Sequence, residues 1–174
     1  GMGPRTLNLG SSNIYCAATQ EFRADSPDLT VNAGTSHIYT YNSFYCYSGQ
    51  QFNNLTFTRA GDITSIGSSL ANPAYFNRVE MKGNGTLKGY NTFNTLEFSA
   101  GKTYSLESGV TQTINNWIMG GTPCEVTQIQ STTAGTRANV NITGSNTTFD
   151  FANIKDINAS GAALHFGSKS TDNG

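Results

Sequence analysis

The sequence predicts an all-β chain: a right-handed, single-stranded parallel β-helix, a solenoid of about seven or eight coils. Three observations lead there. The composition is poor in charge, a six-residue phrase recurs at coil-length steps, and short alternating segments end again and again at Gly or Asn. Only 12% of the 174 residues are charged and 36% are hydrophobic. An average globular protein has roughly 25% charged residues, and roughly 45–50% apolar ones when Gly is included. Asn, Ser, Thr and Gly fill the gap. Their short polar side chains compete with the backbone for hydrogen bonds, which disfavours helices and suits strands and tight corners. Phe, Tyr, Leu and Ile recur along the whole chain, so disorder is excluded.

From the N-terminus, "GMG" (residues 1–3) reads as an expression scar or trimmed start. "CAATQEF" at 16–22 is the single helical candidate, a short cap. "LTVNAG" (29–34) and "SHIYTY" (36–41) are the first alternating segments. The repeated phrase follows: "FNNLTF" at 52–57, "FNRVEM" at 76–81 and "FNTLEF" at 93–98, in steps of 24 and 17 residues. "INNWIM" at 114–119 is a looser copy. The loose pattern also fits "YNSFYC" at 41 and "ANPAYF" at 71, so the strict Phe-Asn copies carry the argument.

Leu96 and Phe98 alternate with Thr95 and Glu97 in strand fashion. Continued backwards, that alternation buries Asn94 and exposes Phe93, which is implausible three times over. The parity must break at the Asn. A left-handed residue there turns a corner, and Asn tolerates that region better than other non-Gly residues. Asn53, Asn77 and Asn94 then stack as a corner ladder of bonded amides. Phe52, Phe76 and Phe93 form one inner row, Leu55, Val79 and Leu96 a second, and Phe57, Met81 and Phe98 a third. "TYSLESG", "VTQTINN", "CEVTQIQ" and "RANVNITG" supply later strands of four or five residues, with Gly101 and Gly109 as punctuation. Coils stack about 4.8 Å apart, giving a rod of roughly 35 Å. A β-sandwich also offers many short strands, but gives no reason for one corner phrase to recur at this spacing. The polar end "FGSKSTDNG" reads as a cut end, and the whole of 1–174 as one domain from a longer exported multidomain protein.

The stretch "FNTLEFSAGKTYSLESGVTQTINNWIMGGTPCEVTQIQSTTAGTRANVNITG", followed by "FANIKDINASGAALHFGSKSTDNG", resembles right-handed parallel β-helix, pectin-lyase-like domains of secreted or cell-surface adhesin-like proteins of Bacteroidetes-type bacteria. The resemblance covers roughly residues 50–174 and rests on "LESGVTQTI", a following "GT", and the terminal "S.DNG". It implies a pectin-lyase-like coil in an adhesin-like or otherwise export-destined multidomain protein; the expected role is structural or adhesive, with glycans or other surface proteins as partners. It carries over no catalytic residue and no cofactor.

Net charge is −1 and no Lys/Arg cluster exists, so nucleic acid is not expected as a partner. No apolar run approaches the roughly 20 residues of a membrane span, so no membrane insertion is expected. Cys16, Cys46 and Cys124 show no zinc spacing. A Cys16–Cys46 disulfide is one alternative; buried free thiols are the plainer one.

Parallel β-helices include polysaccharide lyases and hydrolases, so a polysaccharide-active enzyme is the competing reading. Glu80 and Glu97 share one repeat position, with Thr56 as the third member. They are a candidate carboxylate pair or weak cation site, or else outward charges that keep a strand face soluble. Asp62 near Arg59 is a candidate acid/base pair or, more plainly, a polar loop; Asp150 and Asp156, which flank "FANIK", are a candidate calcium pair, without the Gly- and Asp-rich nonapeptides of calcium-binding β-rolls. His37 and His165 are too isolated for a metal pair. Trp117 falls at a core position. The better hint is aromatic: Tyr39, Tyr41, Tyr45 and Tyr47 in "HIYTYNSFYCY" are all odd-numbered. On one strand they would form a row able to stack on sugar rings or a protein partner.

Overall fold

The computed structural model describes residues 3–17, 20–145 and 147–174, with Phe166 described by its backbone alone. Among the described residues, twenty strands wind into eight coils, and each pairs in parallel with its counterpart one coil away. Coil 1 holds β1 (Arg5–Asn8), β2 (Asn13–Tyr15) and β3 (Phe22–Ala24). Coil 2 holds β4 (Leu29–Asn32), β5 (His37–Thr40) and β6 (Phe44–Tyr47). Coils 3 to 6 have two strands each: β7 (Gln51–Phe57) and β8 (Ile63–Ile66), β9 (Ala74–Met81) and β10 (Gly85–Lys88), β11 (Asn91–Phe98) and β12 (Thr103–Leu106), β13 (Thr111–Met119) and β14 (Thr127–Ser131). Coil 7 holds β15 (Ala138–Ile142), β16 (Thr147–Phe149) and β17 (Ala152–Lys155). Coil 8 holds β18 (Ile157–Gly161), β19 (Leu164–Phe166) and β20 (Thr171–Asp172). The polar C-terminal phrase is therefore part of a coil, with Thr171 paired to Asn153.

The repeat sets the register. Phe52, Phe76, Phe93 and Ile114 align across four coils, as do Leu55, Val79, Leu96 and Trp117. All eight are buried. The three Phe rings stack at 5.5 and 5.4 Å between centroids. Trp117 sits edge-on between Phe98 and Phe149. Antiparallel contacts among the described residues are confined to isolated bridges in loops, such as Ser69 with Asn72. The sandwich is thereby excluded.

The corner ladder forms, and the loose fourth copy joins it. Asn77 Nδ2 donates to Asn53 Oδ1 (3.2 Å), Asn94 to Asn77 (3.2 Å) and Asn115 to Asn94 (3.0 Å). The backbone reading needs correction, however. None of these Asn residues has a positive φ; among the described non-Gly residues only Phe151 and Asp156 do. Instead β7, β9, β11 and β13 run through the corner as single long strands. Two successive residues, Asn94 and Thr95, point outward and reset the parity, in the manner of a bulge. The ladder register skips Asn94 in consequence.

In the coils that turn on Asn, left-handed glycines sit at other corners, among them the one where a coil returns from its last strand to the next coil. Gly49, Gly89 and Gly109 have φ of 73°, 73° and 74° there. At Gly89 a Cβ would meet Ser65 O at 2.3 Å, so both the conformation and the close approach demand glycine.

The interior is not wholly apolar. Asn91 and Gln112 are fully buried on adjacent coils. Asn91 Nδ2 donates to Gln112 Oε1 (2.9 Å), Gln112 Nε2 donates to Gly89 O (2.8 Å), and Ser65 Oγ donates to Asn91 Oδ1. Cys46 Sγ lies 3.2 Å from Ser65 Oγ. Burial pushes the Cys46 thiol up to about 12. All three cysteines are free: Cys46 is buried, Cys16 half-buried and Cys124 exposed. The Cys16–Cys46 disulfide does not form, because Cys46 points into the core beside Ser65. The expectation of buried thiols fails for Cys124, which lies in an exposed loop. The helical candidate at 16–22 falls partly outside the described residues, and its last residue, Phe22, begins β3; no helix occurs among the described residues.

Candidate functional site

The outward face that follows the Asn corner carries two parallel rows. One runs Tyr15, Tyr39, Thr56, Glu80, Glu97, Ile118. The other runs Asn13, His37, Asn54, Arg78, Thr95, Asn116. Glu80 and Glu97 do stand on adjacent coils, with Thr56 beside them. Each carboxylate has a cation of its own: Lys82 Nζ is 3.4 Å from Glu80, and Arg78 pairs with Glu97. These pairs are partly exposed, so each contributes about 0–1 kcal/mol. Among the described residues, no group of three or more His, Cys, Asp or Glu converges as a metal site would require.

A hydrogen-bonded chain links three coils on this face. Thr56 Oγ1 donates to Glu80 Oε2 (3.2 Å), and His37 Nε2 meets Thr56 Oγ1 at 2.9 Å. The Thr hydroxyl has one hydrogen, which goes to Glu80, so His37 Nε2 carries the proton and donates. The His37 ring lies 4.0 Å from Tyr39, and Tyr39 stacks on Tyr15 at 4.7 Å with 6° between planes. Tyr15 is 72% exposed. Sequence reasoning missed it, although its separation from Tyr39 equals the step between Phe52 and Phe76. His37 belongs to this cluster and is remote from His165, on β19 of coil 8.

Desolvation holds the His37 pKa below its ordinary 6.5, with Arg78 and Lys82 adding to the effect and Glu80 opposing it. A folded-state value below the unfolded one means that the fold favours the neutral ring. This stability is complete above about pH 6.5 and is lost as pH falls through the folded value. The melting temperature is therefore expected to fall between pH 7.5 and pH 5. In a His37→Asn variant the fall is smaller, because that residue does not charge. Thermal melts of both proteins across this range check it; equal slopes would show that His37 does not couple stability to pH.

The four tyrosines do not form one row. Tyr39 lies on β5, Tyr41 follows at the corner, and Tyr45 and Tyr47 lie on β6 of the next face. The odd-number rule assumed a single strand, and the turn at 41–43 breaks it. Arg59 lies over Tyr41 at 5.5 Å and Arg23 over Tyr45 at 4.1 Å. Asp62 pairs instead with Lys88, 3.9 Å away, and accepts the Thr86 N–H at 2.8 Å. Asp156 accepts the Gly135 N–H at 3.0 Å. Both are structural acceptors.

Comparison with protein-family models, with curated proteins and with solved structures finds no match for this chain. The pectin-lyase-like and adhesin-like resemblance therefore stands on its sequence phrases alone.

Proposed function

We propose that this chain is a non-catalytic, surface-exposed β-helix module of an exported bacterial protein, structural and adhesive, that touches glycans through the aromatic stack of coils 1 and 2. The observation that carries this is Tyr15. A large aromatic ring stands 72% exposed, stacked on Tyr39, beside a ring of His37. Aromatic faces of this kind stack on sugar rings and are selected at binding surfaces. Thr56, Glu80 and Glu97 continue the row with groups that bond hydroxyls. Export and the adhesive setting draw their support from the resemblance of residues 93–144 and 151–174. Tyr41 and Tyr45, each with an Arg over its ring, and Tyr47 beside them offer a second aromatic surface suited to another surface protein.

A polysaccharide-active enzyme is the second reading, and one observation favours it. The neutral His37, linked through Thr56 to Glu80, is a base within a hydrogen-bonded chain.

A glycan array probed with wild type and with Tyr15→Ala/Tyr39→Ala tests the first reading. A positive signal that drops at least about tenfold in the variant is expected, as for loss of aromatic hot-spot contacts. Turnover of polygalacturonate and alginate, assayed alongside, is expected to be absent. Depolymerisation by wild type that vanishes in Glu80→Gln/Glu97→Gln would overturn the non-catalytic reading.

A further inference from the structure

A second concave surface lies along the Asn ladder. Three concavities of about 910, 370 and 240 Å³ follow one another there. The first two share Gln51, Phe52 and Asn77, and the last two share Asn115. They make one shallow groove parallel to the solenoid axis, from β4 in coil 2 to Thr147 in coil 7.

The chain builds this groove by changing its corner. Coils 3 to 6 turn on one Asn each. Coils 2 and 7 use longer loops at the same corner, at 33–36 and 143–145, and these stand as walls at either end. At the first wall, Asn53 Nδ2 donates to Ser36 O at 3.1 Å. At the second, Gly144 lies so close to Asn115 that a Cβ would meet Asn115 O at 2.0 Å. The four coils between span roughly 19 Å at the strand spacing.

The lining decides the class of ligand. It contains no Asp, Glu, Lys or Arg among the described residues. Nucleic acids and anionic polymers need cations and find none. What it offers is one amide per coil, with the outward row Gln51, Tyr75, Thr92 alongside. Asn94 and Asn115 each spend one amide hydrogen on the ladder and leave the other for a ligand. Tyr75 is 39% exposed and supplies an aromatic surface. The groups repeat at the coil step of about 4.8 Å, whereas an extended peptide repeats on one face at about 6.6 Å, so a peptide falls out of register. A pyranose ring with its linkage covers about one coil step.

We propose that this groove binds a linear, uncharged polysaccharide laid parallel to the solenoid axis, about one sugar per coil. The proposal rests on the glycan-adhesive reading above but uses a different face, so the two can fail separately.

The test is calorimetric titration with cellohexaose, chitohexaose and mannohexaose, the matching disaccharides, and hexagalacturonate as the charged control. At least one neutral hexamer is expected to bind, with its disaccharide at least tenfold weaker. Thr92→Arg places a long charged side chain at mid-groove, outside the amide ladder, and is expected to weaken binding at least tenfold, while Lys155→Ala, exposed on β17 and outside the groove lining, leaves it unchanged. Circular dichroism melts verify folding; should Thr92→Arg fail to fold, Gln51→Arg at an exposed position replaces it. Failure of all three neutral hexamers, hexagalacturonate binding as tightly, or affinity that survives the arginine variant would each overturn the groove. Affinity lost in Tyr15→Ala and kept in Thr92→Arg overturns the groove and leaves the aromatic stack. The converse is the result expected for the groove, and the glycan array with Tyr15→Ala/Tyr39→Ala decides the aromatic stack separately.

Discussion

Phe76→Ala is expected to destabilise the protein by about 3–5 kcal/mol, the range for deleting a fully buried aromatic ring. Phe76 touches three rings: it stacks between Phe52 and Phe93 and meets Phe44 edge-on at 5.8 Å. Removing it costs the transfer free energy of the ring and leaves a void that neighbouring coils are poorly able to close. Each coil is held in register by ladder bonds on both sides, so collapse into the void would break backbone pairing. Phe76→Leu keeps most of the volume and is expected to cost clearly less. Chemical denaturation of both variants measures the difference. If Phe76→Ala costs under about 1 kcal/mol, the aromatic row is not what holds coils 3 to 5 together.

Asn91→Leu is expected to cost about 2–5 kcal/mol, although leucine is the more hydrophobic residue and is of similar size. The loss leaves the Ser65 hydroxyl with only the weak Cys46 thiol and the Gln112 carbonyl oxygen without its donor, at about 1–3 kcal/mol each. Asn91 Nδ2 also donates to Gly89 O at 3.0 Å, but Gln112 continues to serve that carbonyl. The interior network therefore acts as a unit, and partial satisfaction is worse than none. The double variant Asn91→Leu/Gln112→Leu is expected to cost less than the sum of the two single losses, because the bond between the amides is counted in both. Strict additivity in a double-mutant cycle would show that the two amides act independently.

Much of this architecture is legible in the residues alone. The recurrent phrase fixes the register, since Phe52, Phe76 and Phe93 and their aliphatic partners align residue for residue. It also locates the Asn ladder. The conformational mechanism of that corner is not legible. Either a left-handed Asn or two consecutive outward residues resets strand parity, and both leave the same pattern of apolar positions. The site is less legible. Glu80 and Glu97 fall correctly on one row, because they lie within the repeat. Their cations are hidden from the sequence: Arg78 reaches Glu97 across to the next coil, and Lys82 reaches back along its own chain to Glu80. The tyrosines mislead because alternation holds within a strand and is lost at a turn. Tyr45 and Tyr47 face a different side from Tyr39 for that reason alone.

By itself, then, the sequence determined the period. Apolar spacing and a repeated corner residue are local properties, and an alternating strand with one buried face has few other ways to satisfy them. Only the tertiary structure decided what the coils do together. The His37–Thr56–Glu80 chain, the stack of Tyr15 on Tyr39, the pairing of Glu97 with Arg78, and the charge-free groove all join residues that lie a full coil apart along the chain. In a solenoid such neighbours are set by the length of each corner, which varies from coil to coil. A loop of a few residues, at 33–36 or 143–145, moves everything after it without altering any local pattern.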